Sequence, residues 1–490
     1  MMRPLKVCYT MADLLITNGT VIALDPERRI IADGAVAIEG DRIVAVGPSD
    51  EVTRNHPARE TLDARGMAIM PGFVDAHAHA GHGLIKTLGG GKSDPWYRAC
   101  QGGYTVGSTP EFWYAEAQLA ALERLRFGVT TGVSLLGGGD SVMRTDRAEY
   151  GDAHMEGVLG IGTRSVVAVG ATRPPHPLTY ASWNGSARTD YPVTFDDQFA
   201  TCRTLIDRWH RTHEDRLHVA LLTPTLHQAH LDAPGAEDAI AQSRKVKRLA
   251  EERGLVFTQD GHTRGSVRIA HDIGILGPRT LLSHATGLDE DEIAICAETG
   301  TCIVHNPSAV AAILARCPVT ELLDAGVTVA IGSDATAPDR SGDMFRHMQQ
   351  CMHYHRTHFH DPSWLPPGKA LEMCTIDAAR VLGLDHEIGS LEPGKKADVI
   401  LVDLRRPHLY PAHMPEFRVT YFANGNDVHT VLVGGKVLLS DRNPLYVDQD
   451  AVLDAAQREA ELMIDRLDLR DGLETPRMFW GHSRDLDLIE

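Results

Sequence analysis

Eight short apolar runs, separated by longer segments of helical periodicity, occupy the middle of this 490-residue chain and leave it few ways to fold. They fall near Ala68–Asp75, Gly128–Leu135, Arg164–Val169, Leu217–Leu222, Leu255–Gln259, Thr280–His284, Thr301–His305 and Val327–Asp334. Helical patterns stand between several of them, at Pro110–Arg126, Ala236–Arg253 and Asp289–Thr299, and another follows the last, at Lys369–Leu382. Such alternation marks parallel strands joined by crossover helices. Eight of these units close into a (β/α)8 TIM barrel, whose chemistry sits where the strands end.

The flanks have a different texture. Leu14–Ile22 and Gly34–Val46 alternate like strands, with Gly40-Asp41 as a hairpin turn, and the same pattern returns only at Ala397–Val402 and Val428–Leu438. Two distant β segments, each too short to bury a core, are best explained by pairing into one small β-sandwich that brackets the barrel. The expected division is therefore 11–68 and 389–445 for the two parts of the sandwich, 69–388 for the barrel, and 446–490 for a C-terminal helical extension. Ala451–Leu469 carries leucine, alanine and methionine at helical spacing, which predicts an amphipathic helix docked on the barrel or on another subunit.

Composition excludes several partners. With 48 Lys+Arg against 66 Asp+Glu the formal net charge is −18, which disfavours nucleic acid and anionic membranes and leaves a small, neutral substrate as the expected partner. The 8 cysteines form no C-x-x-C pair and read as reduced thiols of a cytoplasmic protein. No signal peptide and no run of about 20 apolar residues is evident. Gly91-Lys92-Ser93 lacks the strand and helix context of a phosphate loop.

Chemistry-bearing residues stand at one strand end after another. The first run closes on His77-Ala78-His79, whose two imidazoles share a face if the strand alternation continues, and such a pair begins a transition-metal site. Gln259, Asp260 and His262 follow on the fifth strand and its exit, His284 on the sixth, His305 and Asn306 on the seventh, and Asp334 on the eighth. The loop after the first strand, with its glycines and Trp96, is expected to wall the substrate pocket. His347, His353, His355, His358 and His360 invite a second-metal reading, but a helix lined with histidines is the simpler account.

These residues carry a resemblance. Ile69-Met70-Pro71-Gly72-Phe73-Val74-Asp75-Ala76-His77-Ala78-His79, Ser283-His284-Ala285, His305-Asn306-Pro307-Ser308 and Gly332-Ser333-Asp334 look like the signatures of the amidohydrolase superfamily, in its cytosine-deaminase-like and triazine-hydrolase branch. Gly389–Val399 is similar to the turn that re-enters the family's small β domain. The resemblance implies one divalent metal per chain, zinc or iron, because Leu222-Thr223-Pro224-Thr225 offers no lysine to bridge a second ion. By the same resemblance His77, His79, His284 and Asp334 would bind that metal. Asp334 and His284 would act in catalysis, His227, His305 and Trp96 would touch substrate, and the chain would form a homo-oligomer.

The fifth strand departs from the family's His-x-x-Glu: Gln259 stands at the ligand position and His262 at that of the glutamate. Either Gln259 offers its oxygen to the metal, or His262 reaches the ion, or His262 replaces the missing acid as a proton carrier. The missing glutamate favours hydrolysis of an amide, urea or carbamate-type C–N bond by a metal-activated water. The alternatives are an aminohydrolase or chlorohydrolase of an N-heterocycle, and a non-catalytic relic.

Overall fold

The computed structural model describes residues 11–90, 93–138, 142–309, 315–335, 341–475 and 477–480. Its centre is an eight-stranded parallel sheet: β1 (Phe73–Asp75), β2 (Val129–Leu135), β3 (Arg164–Gly170), β4 (Leu217–Leu222), β5 (Phe257–Gln259), β6 (Thr280–Ser283), β7 (Cys302–His305) and β8 (Val329–Ile331). Strand follows strand in sequence order around the sheet. The Ala76 amide donates to the Ile331 carbonyl at 3.3 Å and the Asp334 amide to the His77 carbonyl at 2.8 Å, which joins β8 to β1 and closes the barrel.

Side-chain alternation divides each strand between two compartments. Val74, Ala76, Val166, Ala168, Val304 and Ala330 share the barrel interior, whereas Phe73, Ile303, Val329 and Ile331 pack outward against helical side chains such as Met344, Phe345 and Met348. The outer layer includes α1 (Pro110–Arg126) and α2 (Met344–Phe359). The predicted helix over 369–382 is broken into Pro367–Met373 and Ile376–Val381. Between them the Thr375 hydroxyl donates to the Leu371 carbonyl at 2.7 Å, the local side-chain bond that competes with helix continuation.

Both ends of the chain build one nine-stranded sheet, in which Met67–Pro71 pairs with Val399–Asp403 and with Ala12–Ile22. The run predicted as a single strand over 68–75 is therefore two. Gly72 separates them because a side chain there would strike Thr130, so the chain leaves the end sheet and enters the barrel at that point. The first β segment also contains a short helix, Ser49–Asn55, that strand-like alternation did not suggest. Helix α3 (Gln449–Leu467) docks on its own barrel: Met463 and Ile464 join the apolar cluster of Leu84, Leu88, Ala99 and Tyr104 beyond β1. No helix among the described residues is long and apolar enough to cross a membrane.

Candidate metal centre

The barrel mouth gathers its donors from four strand ends. His77 and His79 leave β1, Asp260 leaves β5, His284 leaves β6 and Asp334 leaves β8, and all five side chains are buried. His79 Nε2 lies 3.3 Å from Asp260 Oδ2 and 3.2 Å from Asp334 Oδ1. His77 Nε2 is 3.3 Å from Asp260 Oδ1 and 3.6 Å from Asp334 Oδ1, and His284 Nε2 is 3.0 Å from Asp260 Oδ1. His284 and Asp334 sit at φ of 68° and 62°, left-handed conformations that non-glycine residues rarely hold. At the strand exits this turns each side chain over the mouth rather than along its strand.

Neighbouring groups hold these residues in place. The His79 Nδ1–H donates to the Gly137 carbonyl at 2.8 Å, which leaves Nε2 bare and facing the carboxylates, the orientation a ligating histidine requires. Asp75 is a clip beneath the mouth: its carboxylate accepts from the Ser333 amide at 2.9 Å, from the Ser333 hydroxyl at 2.7 Å and from Arg124 Nη2 at 2.9 Å. The residue after Ser333 is Asp334, so Asp75 fixes the turn that presents it. Ser283 Oγ donates to Asp260 Oδ1 at 2.5 Å and steadies the other carboxylate.

The electrostatics ask for a cation. Burial alone would raise the Asp260 and Asp334 pKa values, yet the surrounding imidazoles hold both well below the usual carboxylate range. Conversely, burial opposes a charge on His79, but Asp260 and Asp334 push it up to about 10. Three imidazole nitrogens and two carboxylates around one point suit a divalent transition metal, whose charge would replace the protons the carboxylates attract. Among the described residues no hydrogen bond of ordinary geometry reaches His77 Nε2, although Asp260 Oδ1 lies 3.3 Å away, as expected where an ion sits between the two.

On the fifth strand the geometry differs from expectation. Gln259 does not offer its side chain to the cluster: Nε2 donates to Thr223 Oγ1 at 3.2 Å and to the Pro224 carbonyl at 3.1 Å, and Oε1 faces His262 Nε2 at 3.3 Å. Strand β5 ends at Gln259, and Asp260, the residue after it, occupies the mouth in its place just before the chain turns at Gly261, φ 86°. His262 is not poised as a proton carrier either. Burial pushes it down to about 3, so it is neutral, and Nδ1 is engaged by Ser266 Oγ at 2.9 Å.

The expected substrate contacts divide. His305 is directed away from the mouth: Val304 faces the barrel interior, so by alternation the His305 ring lies outside the wall, 5.5 Å between centroids from His355 of α2. Trp96 packs edge-on against His82 at 5.2 Å, and His82 stacks on His79 at 4.7 Å, which places the indole two rings from the centre. His227 caps a short helix after β4, close enough for its charge to weigh on His262. Sequence reasoning assigned no role to Asp75, His82 or Asp260. Asp75 lies within the first-strand signature and Asp260 one residue past a strand end, but neither carries a mark that separates it from a neighbour.

The chain belongs to the amidohydrolase family, whose match covers residues 68–438; a short match to an imidazolonepropionase-like composite domain of bacteria spans 34–58. It is thus a hydrolase of carbon–nitrogen bonds other than peptide bonds. A 5-methylthioadenosine/S-adenosylhomocysteine deaminase of Syntrophobacter fumaroxidans is 31% identical over 453 residues, covering 90% of this chain and 96% of the relative. A 5′-deoxyadenosine deaminase of Methanosarcina mazei is 28% identical, covering 93% and 100%. An adenosine deaminase of Xanthomonas campestris with bound zinc shares the fold at a TM-score of 0.77 and 24% identity, covering 93% and 99%. An atrazine chlorohydrolase of Arthrobacter aurescens complexed with zinc does so at 0.74 and 23%, covering 91% and 100%.

Proposed function

We propose that the chain is an aminohydrolase that removes the exocyclic amine of an adenine-type nucleoside altered at its 5′ position, with one zinc ion in the barrel mouth. The observation that carries this reading is the convergence of His77, His79, His284, Asp260 and Asp334 on one point. The curated relatives, both named as deaminases of such nucleosides, supply the substrate class. They weigh against the urea and carbamate preference drawn from the missing glutamate.

His77, His79, His284, Asp260 and Asp334 would hold the ion, which when bound lowers the pKa of water to about 7 and so supplies a hydroxide nucleophile. Asp334 would serve as the base toward the attacking nucleophile and then as the acid toward the departing amine. His284, its Nε2 toward the centre, would offer that nitrogen's lone pair to the ion. Neutral His262 keeps Gln259 in place and lends no proton.

The test compares ammonia release from 5′-deoxyadenosine, 5′-methylthioadenosine, S-adenosylhomocysteine and adenosine with amine release from phenylureas and carbamates. The reading expects ammonia from at least one nucleoside, with zinc retained on purification. Amine release from the ureas with no nucleoside turnover would overturn it.

A further inference from the structure

A second group of metal-ligating side chains lies on the opposite side of the barrel wall. The His305 ring projects outward from the end of β7 and meets Cys351 and His355, which stand four residues apart and so share one face of α2. A nitrogen of each imidazole and the Cys351 sulfur all lie within 4.8 Å of one another, and all three residues are 0% exposed. Their surroundings are apolar, with Met344, Met348 and Ile303 in the same layer. Among the described residues, neither nitrogen of His305 nor either nitrogen of His355 has a hydrogen-bond partner. Folded proteins rarely leave even one such atom without a partner, and here four stand together on two facing rings. The nearby Arg316 guanidinium does not supply a donor to them: it donates to the Glu321 carboxylate, with one bond of 2.9 Å.

The chemistry of the donors decides between explanations. Two neutral imidazoles and a thiol are a common ligand set for zinc-class ions, which take nitrogen at about 2.0–2.1 Å and thiolate sulfur at about 2.3 Å. Burial lowers the pKa of both imidazoles, leaving each with a free lone pair for a cation. A carboxylate-free, sulfur-containing set also prefers such ions over calcium or magnesium.

We propose that His305, Cys351 and His355 form a second, structural metal site for a zinc-class divalent ion, one that ties α2 to β7 outside the barrel. On binding, the Cys351 thiol gives its proton to solvent and its sulfur becomes a thiolate ligand, while His305 and His355 donate nitrogen lone pairs. No oxidant or reductant takes part.

The barrel mouth contains no sulfur donor, and this makes the two sites separable by spectroscopy. Metal-free protein is reloaded with cobalt(II), and the near-ultraviolet thiolate-to-cobalt charge-transfer band is recorded together with metal content. The expected result is a band and two equivalents of cobalt in the wild type, the band retained with one equivalent in His77→Ala, and the band lost with one equivalent in Cys351→Ser. Absence of the band in cobalt-loaded wild-type protein, or its survival in Cys351→Ser, would overturn the proposal. Should Cys351→Ser not fold, His355→Gln serves instead: it keeps the thiol but must weaken or shift the band, and an unaltered band counts against the site. Loss of metal in His77→Ala with the band intact bears on the mouth alone, so failure of the catalytic reading is distinguishable.

Discussion

Two histidine clusters face each other across one barrel wall, and they have opposite electrostatic character. In the mouth, His77, His79 and His284 are interleaved with Asp260 and Asp334, and the carboxylates drive His79 up to about 10. Behind β7 the donor set of His305, Cys351 and His355 includes no carboxylate, and burial lowers both imidazoles, His355 to about 4 against the opposing pull of Glu321. The same side chain, equally buried, is thus prepared for a charged centre on one face and for neutral ligation on the other. The difference arises from strand parity: one residue along a β-strand exchanges the polar mouth for the apolar helical layer.

The comparison breaks most sharply if the mouth carboxylates are not what distinguishes it. Asp334→Asn is expected to lower kcat by about 10³-fold, the size of effect of a general base, while metal content stays near that of the wild type. A variant within a few-fold of wild-type kcat would remove Asp334 from the chemistry. Asp260→Asn should reduce metal affinity by about 10- to 100-fold, with activity restored by added zinc. Titration with a competing chelator measures this, and unchanged affinity would exclude Asp260 from the donor set.

A third buried group sharpens the contrast, because it is a carboxyl without imidazole cations around it. Glu116 of α1 accepts from the Gly83 amide at 3.3 Å beside the neutral His154 ring, and burial pushes it up to about 7. Its folded pKa exceeds the ordinary value, so its contribution to stability is complete below about 4.5 and is lost as pH rises through 7. The loss is on the order of 3 kcal/mol. Wild-type melting temperature should therefore fall between pH 5 and pH 8 by more than that of Glu116→Gln, and parallel curves would refute the assignment. The smallest effect is expected of Ser266→Ala, which strips Nδ1 of His262 of its partner and should cost about 1–2 kcal/mol in denaturant unfolding without loss of metal.

Much of the architecture was legible because period and position carry it. The eight runs, the first of them split at Gly72, and the helices Pro110–Arg126 and Ala236–Arg253 stand where their patterns place them, and His77 and His79 leave β1 to meet the same carboxylates. What escaped was decided at strand ends, where a single dihedral outweighs any pattern. The mouth takes Asp260, one residue past the end of β5, instead of Gln259, and the parity of Val304 sends His305 out of the site that its motif suggests. Asp75 was visible within a signature but its clip on Ser333 spans 258 positions, a distance over which local sequence carries no signal.

Helix α3 reaches further than its place at the end of the chain implies. Leu467 fills the space that side chains at positions 102 and 107 would need, the Gly472 carbonyl accepts from the Gly89 amide at 2.8 Å, and Arg466 donates to the Gly107 carbonyl at 3.3 Å. The segment that follows β1, from Gly89 to Gly107, is thereby buttressed by residues more than 350 positions away in sequence. A substitution such as Leu467→Ala should therefore loosen that segment while leaving the metal donors of the mouth in place.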